Sequence, residues 1–335
     1  MPTRLLVAML ALVTASAHAA PDSAQVPDGI FYGVRMIPDL GDWGTANQLI
    51  RIDPAGTVQA IAPLWGRDGR VILSAAGDGP VWHPFYKRLF ALAYGPSEST
   101  NWVSIDPANG HVEPVIRTYD FNRFADFAVV PDDPHLYALW ATGDILIVDP
   151  RVNDPPVAIF EEPGCRAANR ESRAGGLAYI PKGELLEPGF YVAYSDCPLG
   201  AFQVFTAPDG PRRWVGASMP AIQGLFWDRG TQRLYGWNRV AWDPTDAFNR
   251  VQFWIIDPQT GRRHLAFEWA LERTGTEGGE TYGWDLDLDF VPSSEAESIA
   301  CLVADLNGDN AVDLRDFQLL QNCMTGPVAT PPFNP

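Results

Sequence analysis

An acidic segment near the C-terminus, "DLNGDNAVDLRD" (305–316), has the spacing of a metal-binding loop. Oxygen-bearing groups fall at positions 1, 3, 5, 7, 9 and 12 of this segment, and they belong to Asp305, Asn307, Asp309, the Ala311 carbonyl, Asp313 and Asp316. EF-hand loops bind Ca²⁺ through oxygens at these positions, between two helices. Four carboxylates beside a single Arg315 would repel one another without a cation. The segment therefore predicts a Ca²⁺ site; the alternative is a solvated acidic turn.

The same loop resembles a known calcium repeat. Asp316 stands where EF-hands usually have Glu, Asn310 stands where they usually have Gly, and an apolar Phe317 follows. These residues are similar to the type I dockerin repeat of secreted bacterial proteins. The resemblance covers Asp305 to about Met324, one repeat where dockerins usually have two. It implies Ca²⁺ as the cofactor and a cohesin-like or cell-surface protein as a partner.

Helical patterns on both sides of the loop define a small C-terminal module, residues 293–327. Ser294 with Glu297 forms a capping box, and "LRDFQLLQNCM" places Phe317 and Leu320 on one helical face. Residues 328–335 are Pro-rich and are predicted to be a disordered tail.

The N-terminus has the features of a secretory signal peptide. Arg4 precedes an apolar run that is too short to span a bilayer, and Ala17-His18-Ala19 forms a small-x-small cleavage site. We therefore predict a signal peptide over 1–19, a linker over 20–28 and a secreted protein that is extracellular, periplasmic or on the cell surface. No second long apolar run follows, so membrane insertion is not expected.

Four cysteines fit an oxidising compartment. They occur as an early and a late pair, which predicts disulfides Cys165–Cys197 and Cys301–Cys323, the second across the calcium loop. The chain has no C-x-x-C motif, so zinc and thioredoxin-like sites are not indicated.

The charge excludes one class of partner. The net charge is −17, and it becomes −18 once the signal peptide with Arg4 is removed. An anionic protein without a basic patch repels phosphate backbones, so nucleic acid is not an expected partner.

Most of the chain, residues 29–292, consists of a repeated unit of short strands. Its second element has five copies: "IFYGV" (30–34), "RLFALA" (88–93), "HLYALW" (135–140), "GFYVAY" (189–194) and "RLYGWN" (233–238). Its third element also has five: "IRIDPAG" (50–56), "VSIDPANG" (103–110), "LIVDPRV" (146–152), "VFTAPDG" (204–210) and "WIIDPQTG" (254–261). The "DPxxG" signature predicts a tight hairpin, because Asp bonds the amides ahead of it and Gly accepts a positive φ.

The repeat length predicts a mainly β fold with the small α-helical module at its end. Units of roughly 40 to 55 residues are typical of four-stranded propeller blades. The first elements are "GPVWHP" (79–84), "DFAVVPD" (126–132), "GGLAYIP" (175–181), "QGLFWD" (223–228) and "DLDLDFVP" (285–292). The last of these lacks a following "LYAL" strand, and "IFYGV" near the N-terminus is its expected partner. We favour five blades closed by both chain ends; six or seven are possible, with a further blade in Leu64–Asp78 or Glu161–Gly175.

Several side chains of the repeat region could bind a ligand or have a structural role. Asp285, Asp287 and Asp289 share one face of a strand and are either a metal or sugar site in the channel or, as we favour, solvated or salt-bridged. The histidines His83, His111, His135 and His264 are expected to be turn residues. The tryptophans Trp43, Trp102, Trp237 and Trp242 suit sugar stacking or, more often, core packing.

Two functions remain open from the sequence. The first is a binding protein with a glycan or protein ligand, tethered by the calcium module. The alternative is a carbohydrate-active hydrolase or lyase, which needs two carboxyl groups flanking the scissile bond. Loop acids Glu98, Glu171, Asp243 and Glu277 are available, but no catalytic pair is identified among them.

Overall fold

The structure is a computed structural model, and it describes most of the predicted repeat region. The described residues are 26–38, 45–66, 69–70, 79–94, 100–117, 124–140, 144–150, 157–160, 173–184, 186–195, 202–205, 212–215, 222–240, 248–272, 276–277, 280–281, 287–293 and 295–296. Their strands, in chain order, are β1 (Gly29–Pro38), β2 (Thr45–Ile52), β3 (Val58–Pro63), β4 (Trp65–Gly66), β5 (Gly69–Arg70), β6 (Val81–His83), β7 (Arg88–Tyr94), β8 (Thr100–Ile105), β9 (His111–Arg117), β10 (Phe124–Val129), β11 (Leu136–Trp140), β12 (Ile145–Val148), β13 (Val157–Phe160), β14 (Arg173–Ile180), β15 (Gly189–Ser195), β16 (Phe202–Phe205), β17 (Arg212–Val215), β18 (Gly224–Asp228), β19 (Arg233–Arg239), β20 (Phe248–Ile256), β21 (Arg263–Glu272), β22 (Thr276–Glu277), β23 (Glu280–Thr281) and β24 (Asp287–Pro292).

These strands form separate sheets that follow the sequence repeats, and all neighbouring strands are antiparallel except β4 and β9. Sheet I has the order β24-β1-β2-β3, sheet III β10-β11-β12-β13, sheet IV β14-β15-β16-β17 and sheet V β18-β19-β20-β21. Sheet II has the order β6-β7-β8-β9-β4-β5, and β22 and β23 form a small hairpin. In each of sheets I to V the predicted first, second and third elements lie side by side, so the prediction of a mainly β repeat fold is confirmed.

The sheets form a ring, which makes the architecture propeller-like. The first strand of each sheet contacts that of the next, in the order β24, β6, β10, β14, β18 and back to β24. Each of the five apolar core clusters lies between two neighbouring sheets, including the one between sheets V and I. Sheets packed on both faces need apolar residues at successive positions, which explains strands such as "LYAL".

The predicted pairing of the chain ends is present in sheet I. Strand β1 pairs with β24, so that Phe31 lies opposite Phe290. Phe31 also packs against sheet V, with ring centroids 5.4 Å from Phe226, 5.3 Å from Phe253 and 5.0 Å from Trp269. The pairing and this aromatic cluster hold the last sheet against the first.

The "DPxxG" hairpins have the predicted geometry. The Asp53, Asp106 and Asp257 carboxylates each accept a main-chain amide two or four residues ahead, at 2.8 Å. Gly56, which closes the first of these turns, has φ +85°, a conformation that side chains with a Cβ rarely adopt. A tight turn therefore leads from the third to the fourth strand in these sheets.

One proposed site for a further blade is described in part. Within Leu64–Asp78, Trp65–Gly66 is strand β4, which runs parallel to β9, and Gly69–Arg70 is β5, which pairs with β4. These residues therefore extend the outer edge of sheet II.

Several predicted features lie outside the described residues. They are the signal peptide, all four cysteines with their two predicted disulfides, the calcium loop Asp305–Asp316, and the tail. Among the residues that the structure does describe, no helix has the length and apolar character to cross a membrane.

Candidate functional site at the centre of the ring

A cavity of about 110 Å³ lies where the first strands of the sheets converge. Every sheet contributes to its wall, through β6, β10, β14, β18 and β24. Most of the described lining is aromatic or aliphatic, and the charged residues in this described part of the wall are Asp289, Glu295 and Arg229. We call this space the central cavity.

Trp82 holds the two carboxyl groups of the cavity wall. Its main-chain amide donates to Asp289 Oδ2 at 2.5 Å, and its indole Nε1 donates to Glu295 Oε2 at 2.5 Å. Trp82 is only 3% exposed, so its position is set by the packing of sheets I and II. Asp289 and Glu295 are therefore brought to one side of the cavity by a single residue.

Asp126 of β10 lies beside the cavity and joins three sheets. Its Oδ2 accepts the amides of Leu177 at 2.6 Å and Leu225 at 3.1 Å, on β14 and β18. The first strand of each sheet has one edge that faces the ring axis, where its amides have no neighbouring strand. The carboxylates of Asp126 and Asp289 supply acceptors to these amides.

Burial changes the acidity of these groups. It raises the pKa of Asp289 to about 7 and raises the pKa of Asp126 well above its usual value. The pKa of Glu295 is also raised, again chiefly by burial. Asp126 and Asp289 both keep some accessible surface, but protein surrounds them, so water compensates little of the cost of ionisation.

Arg229 and Trp227 complete the polar part of the site. Arg229 is half exposed at the wall, and its Nε lies 3.0 Å from Glu184 Oε1. Trp227 lines the cavity and is 7% exposed, and its buried indole N–H has no acceptor among the described residues. The charge of Arg229 also favours the ionised form of Glu295, so a cation accompanies the acids of the described wall.

This arrangement has two chemical uses. A carboxyl group with a pKa near 7 can attract a cation in its ionised form and can act as a general acid in its protonated form. Within the described ranges, no group of three or more His, Cys, Asp or Glu side chains has metal-binding geometry. The predicted Ca²⁺ ligands are not among those residues.

The structure corrects two expectations about site residues. Asp289 is only partly accessible to solvent, and its carboxylate lies at the ring axis, where it accepts an amide of sheet II. His83, His111 and His264 are not turn residues but strand residues of β6, β9 and β21, and His83 has 0% exposure. Its ring nitrogens lack hydrogen-bond geometry, although the backbones of Pro134 and His135 lie close enough to influence its pKa.

Other candidates are placed in part. Trp102 and Trp237 are 1% and 3% exposed, which agrees with core packing. Glu277 belongs to β22. Outside the described residues lie Trp43, Trp242, Asp285, Glu98, Glu171 and Asp243.

The sequence contained an unused signal for Asp126. In two of the five sheets the first strand has Asp followed by Phe, at Asp126 and Asp289. At the matching positions, β14 and β18 have Gly followed by Leu, at Gly176 and Gly224. A Cβ on Gly176 would lie 2.7 Å from Leu225, and one on Gly224 would lie 2.2 Å from Trp237. Glycines where the strands approach closely, with aspartates at the matching positions, indicate that carboxylates fill the axis.

Comparisons with known proteins give remote similarities. No family model and no curated protein matches the sequence. A structure of TolB from Acinetobacter baumannii is 12% identical with a TM-score of 0.46, over 73% of this chain and 54% of that chain. A protein of unknown function from Bacteroides thetaiotaomicron is 11% identical with a TM-score of 0.41, over 73% and 61%.

A putative 6-phosphogluconolactonase from Bacteroides uniformis is 10% identical with a TM-score of 0.34, over 76% of this chain and 85% of that chain. This chain spans about half the length of the TolB chain. All these scores are too low to indicate a shared function.

Proposed function

We propose that this chain is an exported binding protein: a five-bladed propeller whose ligand, a glycan or a protein, inserts a small group into the central cavity. The observation that supports binding is the hydrogen bonding of the carboxylates near the ring axis. Asp126 and Asp289 accept main-chain amides of neighbouring sheets, which favours a fixed, preorganised wall.

The volume limits what enters. Typical small-molecule pockets measure about 300–1,000 Å³, whereas this cavity measures about 110 Å³. A side chain or one substituent of a sugar fits such a space, and the rest of the ligand would then lie on the surrounding loops.

The C-terminal module is proposed to tether the protein. Asp305, Asn307, Asp309, Ala311, Asp313 and Asp316 would bind one Ca²⁺, and the ordered loop would dock on a cohesin-like or cell-surface protein. The disulfides Cys165–Cys197 and Cys301–Cys323 would stabilise the exported chain.

Two measurements on the full chain test these roles. Calorimetry with CaCl₂ should give one site, and Asp305→Ala should remove its heat while Asp257→Ala leaves it unchanged. The calcium-loaded protein should then retain a ligand on a glycan array or in a pull-down from extracellular extract. An array and a pull-down without any ligand would contradict the binding role, and unchanged heat in Asp305→Ala would contradict the calcium loop.

One observation favours the alternative, a glycan hydrolase or lyase. Asp289 and Glu295 are two carboxyl groups on the same cavity wall, as glycoside hydrolysis requires, and the raised pKa of Asp289 suits the general acid of such a pair. A polysaccharide panel would decide: cleavage that is lost in both Asp289→Asn and Glu295→Gln would establish catalysis, and no cleavage of any substrate would favour binding.

A further inference from the structure

We infer that residues 297–303 dock on the ring as a helix and cover the mouth of the central cavity with their apolar side chains. These residues lie outside the described part of the chain. Such docking requires no calcium, because the segment precedes the predicted loop that begins at Asp305, and it therefore goes beyond the proposed tether.

The chain enters this segment at the mouth of the cavity. The described wall includes residues at or after the ends of the first strands, among them Pro131 after β10 and Pro292 at the end of β24. Arg229, which follows β18, is exposed, so the cavity meets solvent at this end of the ring. Glu295 lines the same cavity just after the end of β24. The residues that follow 296 therefore begin at the mouth.

The ring already holds the start of this helix. Ser293, Glu295 and Ala296 have helical conformation. The Ser293 amide donates to the Asp28 carbonyl at 3.0 Å, and the Ser293 hydroxyl donates to Asp28 Oδ1 at 2.6 Å. The Trp82 indole donates to Glu295 Oε2 at 2.5 Å, and Ala296 packs against the apolar cluster between sheets I and II. Because the first turn is the costly part of helix formation, a helix that starts on these contacts extends readily.

The sequence places an apolar stripe on the side of the helix that meets the ring. Successive helical residues are rotated by about 100°, so Glu295 and Ala296 define the two edges of the ring-facing side. Ile299 and Val303 project between these two directions, and Leu302 projects close to the direction of Glu295. Continuation of the helix therefore keeps its large apolar side chains toward the ring.

The other side of the same helix has polar or small residues, namely Glu297, Ser298, Cys301 and Ala304. Soluble proteins rarely leave a contiguous apolar stripe without a cover. The described wall of the cavity is mostly aromatic or aliphatic, which suits the stripe. The stripe thus packs over the mouth beside Trp82, and a ligand that enters from this end has to displace it.

The test is hydrogen–deuterium exchange of the full chain in EDTA, so that the result does not depend on the calcium site. We expect the amides of residues 299–303 to exchange about tenfold or more slowly than in an unstructured peptide of the same sequence. Ile299→Glu places a charge in the stripe and should abolish this protection, and Ile299→Ala should reduce it. Ser298→Glu introduces the same residue on the other side of the helix and should preserve the protection.

A second readout, on the ring, distinguishes docking from packing within the C-terminal module. In protein with ¹⁵N-labelled tryptophan, assigned with Trp82→Phe, the Trp82 indole signal reports on the mouth. Ile299→Glu should shift this signal and speed exchange of the indole N–H, while Ser298→Glu should change neither.

Three results would overturn the docking. They are exchange of residues 299–303 at the rate of the unstructured peptide, protection that persists in both Ile299→Glu and Ile299→Ala, and an unchanged Trp82 signal in Ile299→Glu. A protein that gives such a result and still binds one Ca²⁺ by calorimetry would retain the proposed tether without the docked helix.

Discussion

Replacing Asp126 with Ala should destabilise the fold substantially, because this carboxylate satisfies amides of two other sheets. The amides of Leu177 and Leu225 lie 2.6 Å and 3.1 Å from its Oδ2. A buried donor without an acceptor costs about 1–3 kcal/mol, so two cost about 2–6 kcal/mol. Removing a carboxyl that is poorly solvated in the folded state returns part of this, and we expect a net loss of about 2–4 kcal/mol.

A control substitution at Asp257 distinguishes the effect of burial from the effect of losing hydrogen bonds. Asp257 accepts three contacts, from the amides of Gln259 and Thr260 and from the Thr260 hydroxyl, but it lies in an exposed turn. Water replaces these partners, so Asp257→Ala should cost less than about 1 kcal/mol. Asp126→Asn keeps an oxygen for both inter-sheet amides and should cost about 1 kcal/mol.

The assay is urea unfolding followed by tryptophan fluorescence at pH 5 and pH 8. Because burial raises the pKa of Asp126, the folded state holds a proton that the unfolded state releases, and wild-type stability should fall as pH rises above about 4. Asp126→Asn should show a smaller fall. A loss below about 0.5 kcal/mol for Asp126→Ala, or an equal loss for Asp257→Ala, would refute the role assigned to burial.

Three further substitutions test other parts of the fold. Gly56→Ala should lower the melting temperature more than Gly183→Ala. Both glycines have positive φ, but a Cβ on Gly56 would lie 2.8 Å from the Trp269 ring, whereas a Cβ on Gly183 would meet nothing within 4 Å. Equal shifts in melting temperature would exclude the clash. His83→Phe should reduce the loss in the free energy of unfolding at acid pH. Burial lowers the His83 pKa from 6.5 to about 4, so the wild type loses about 3 kcal/mol as pH falls through that range. Parallel curves of unfolding free energy against pH for the two proteins would contradict this. Asp228→Ala should lower the urea midpoint by an amount equivalent to about 2–4 kcal/mol, because the fully buried carboxylate accepts hydrogen bonds from two amides and a hydroxyl. A midpoint within error of the wild type would show that water replaces the carboxylate as the acceptor.

The repeated strands were predictable because their cause is local. Each copy of the second element is apolar at successive positions, and each "DPxxG" turn is specified by a few adjacent residues such as Asp106 and Gly110. The pairing of β1 with β24 was also predictable, because the fifth copy of the first element, at 285–292, is not followed in the sequence by a copy of the second element. These features require no knowledge of how the sheets pack.

The central cavity was less predictable because its contacts are long-range. Asp126 bonds amides 51 and 99 residues away, and Asp289 bonds one 207 residues away. Which amides face the axis depends on the number of sheets and on their packing, and strand periodicity specifies neither. The alternation along β24 placed Asp289 on a shared face but did not show whether that face met water or amides.

The two aspartates occupy matching positions in their strands but have different surroundings, and this difference separates stability from binding. Asp126 is held by sheets IV and V, and it lies behind the wall. Asp289 accepts an amide of sheet II and itself lines the cavity. On these contacts, substitution of Asp126 should affect the stability of the ring alone, whereas substitution of Asp289 should affect both the stability of the ring and any binding in the central cavity.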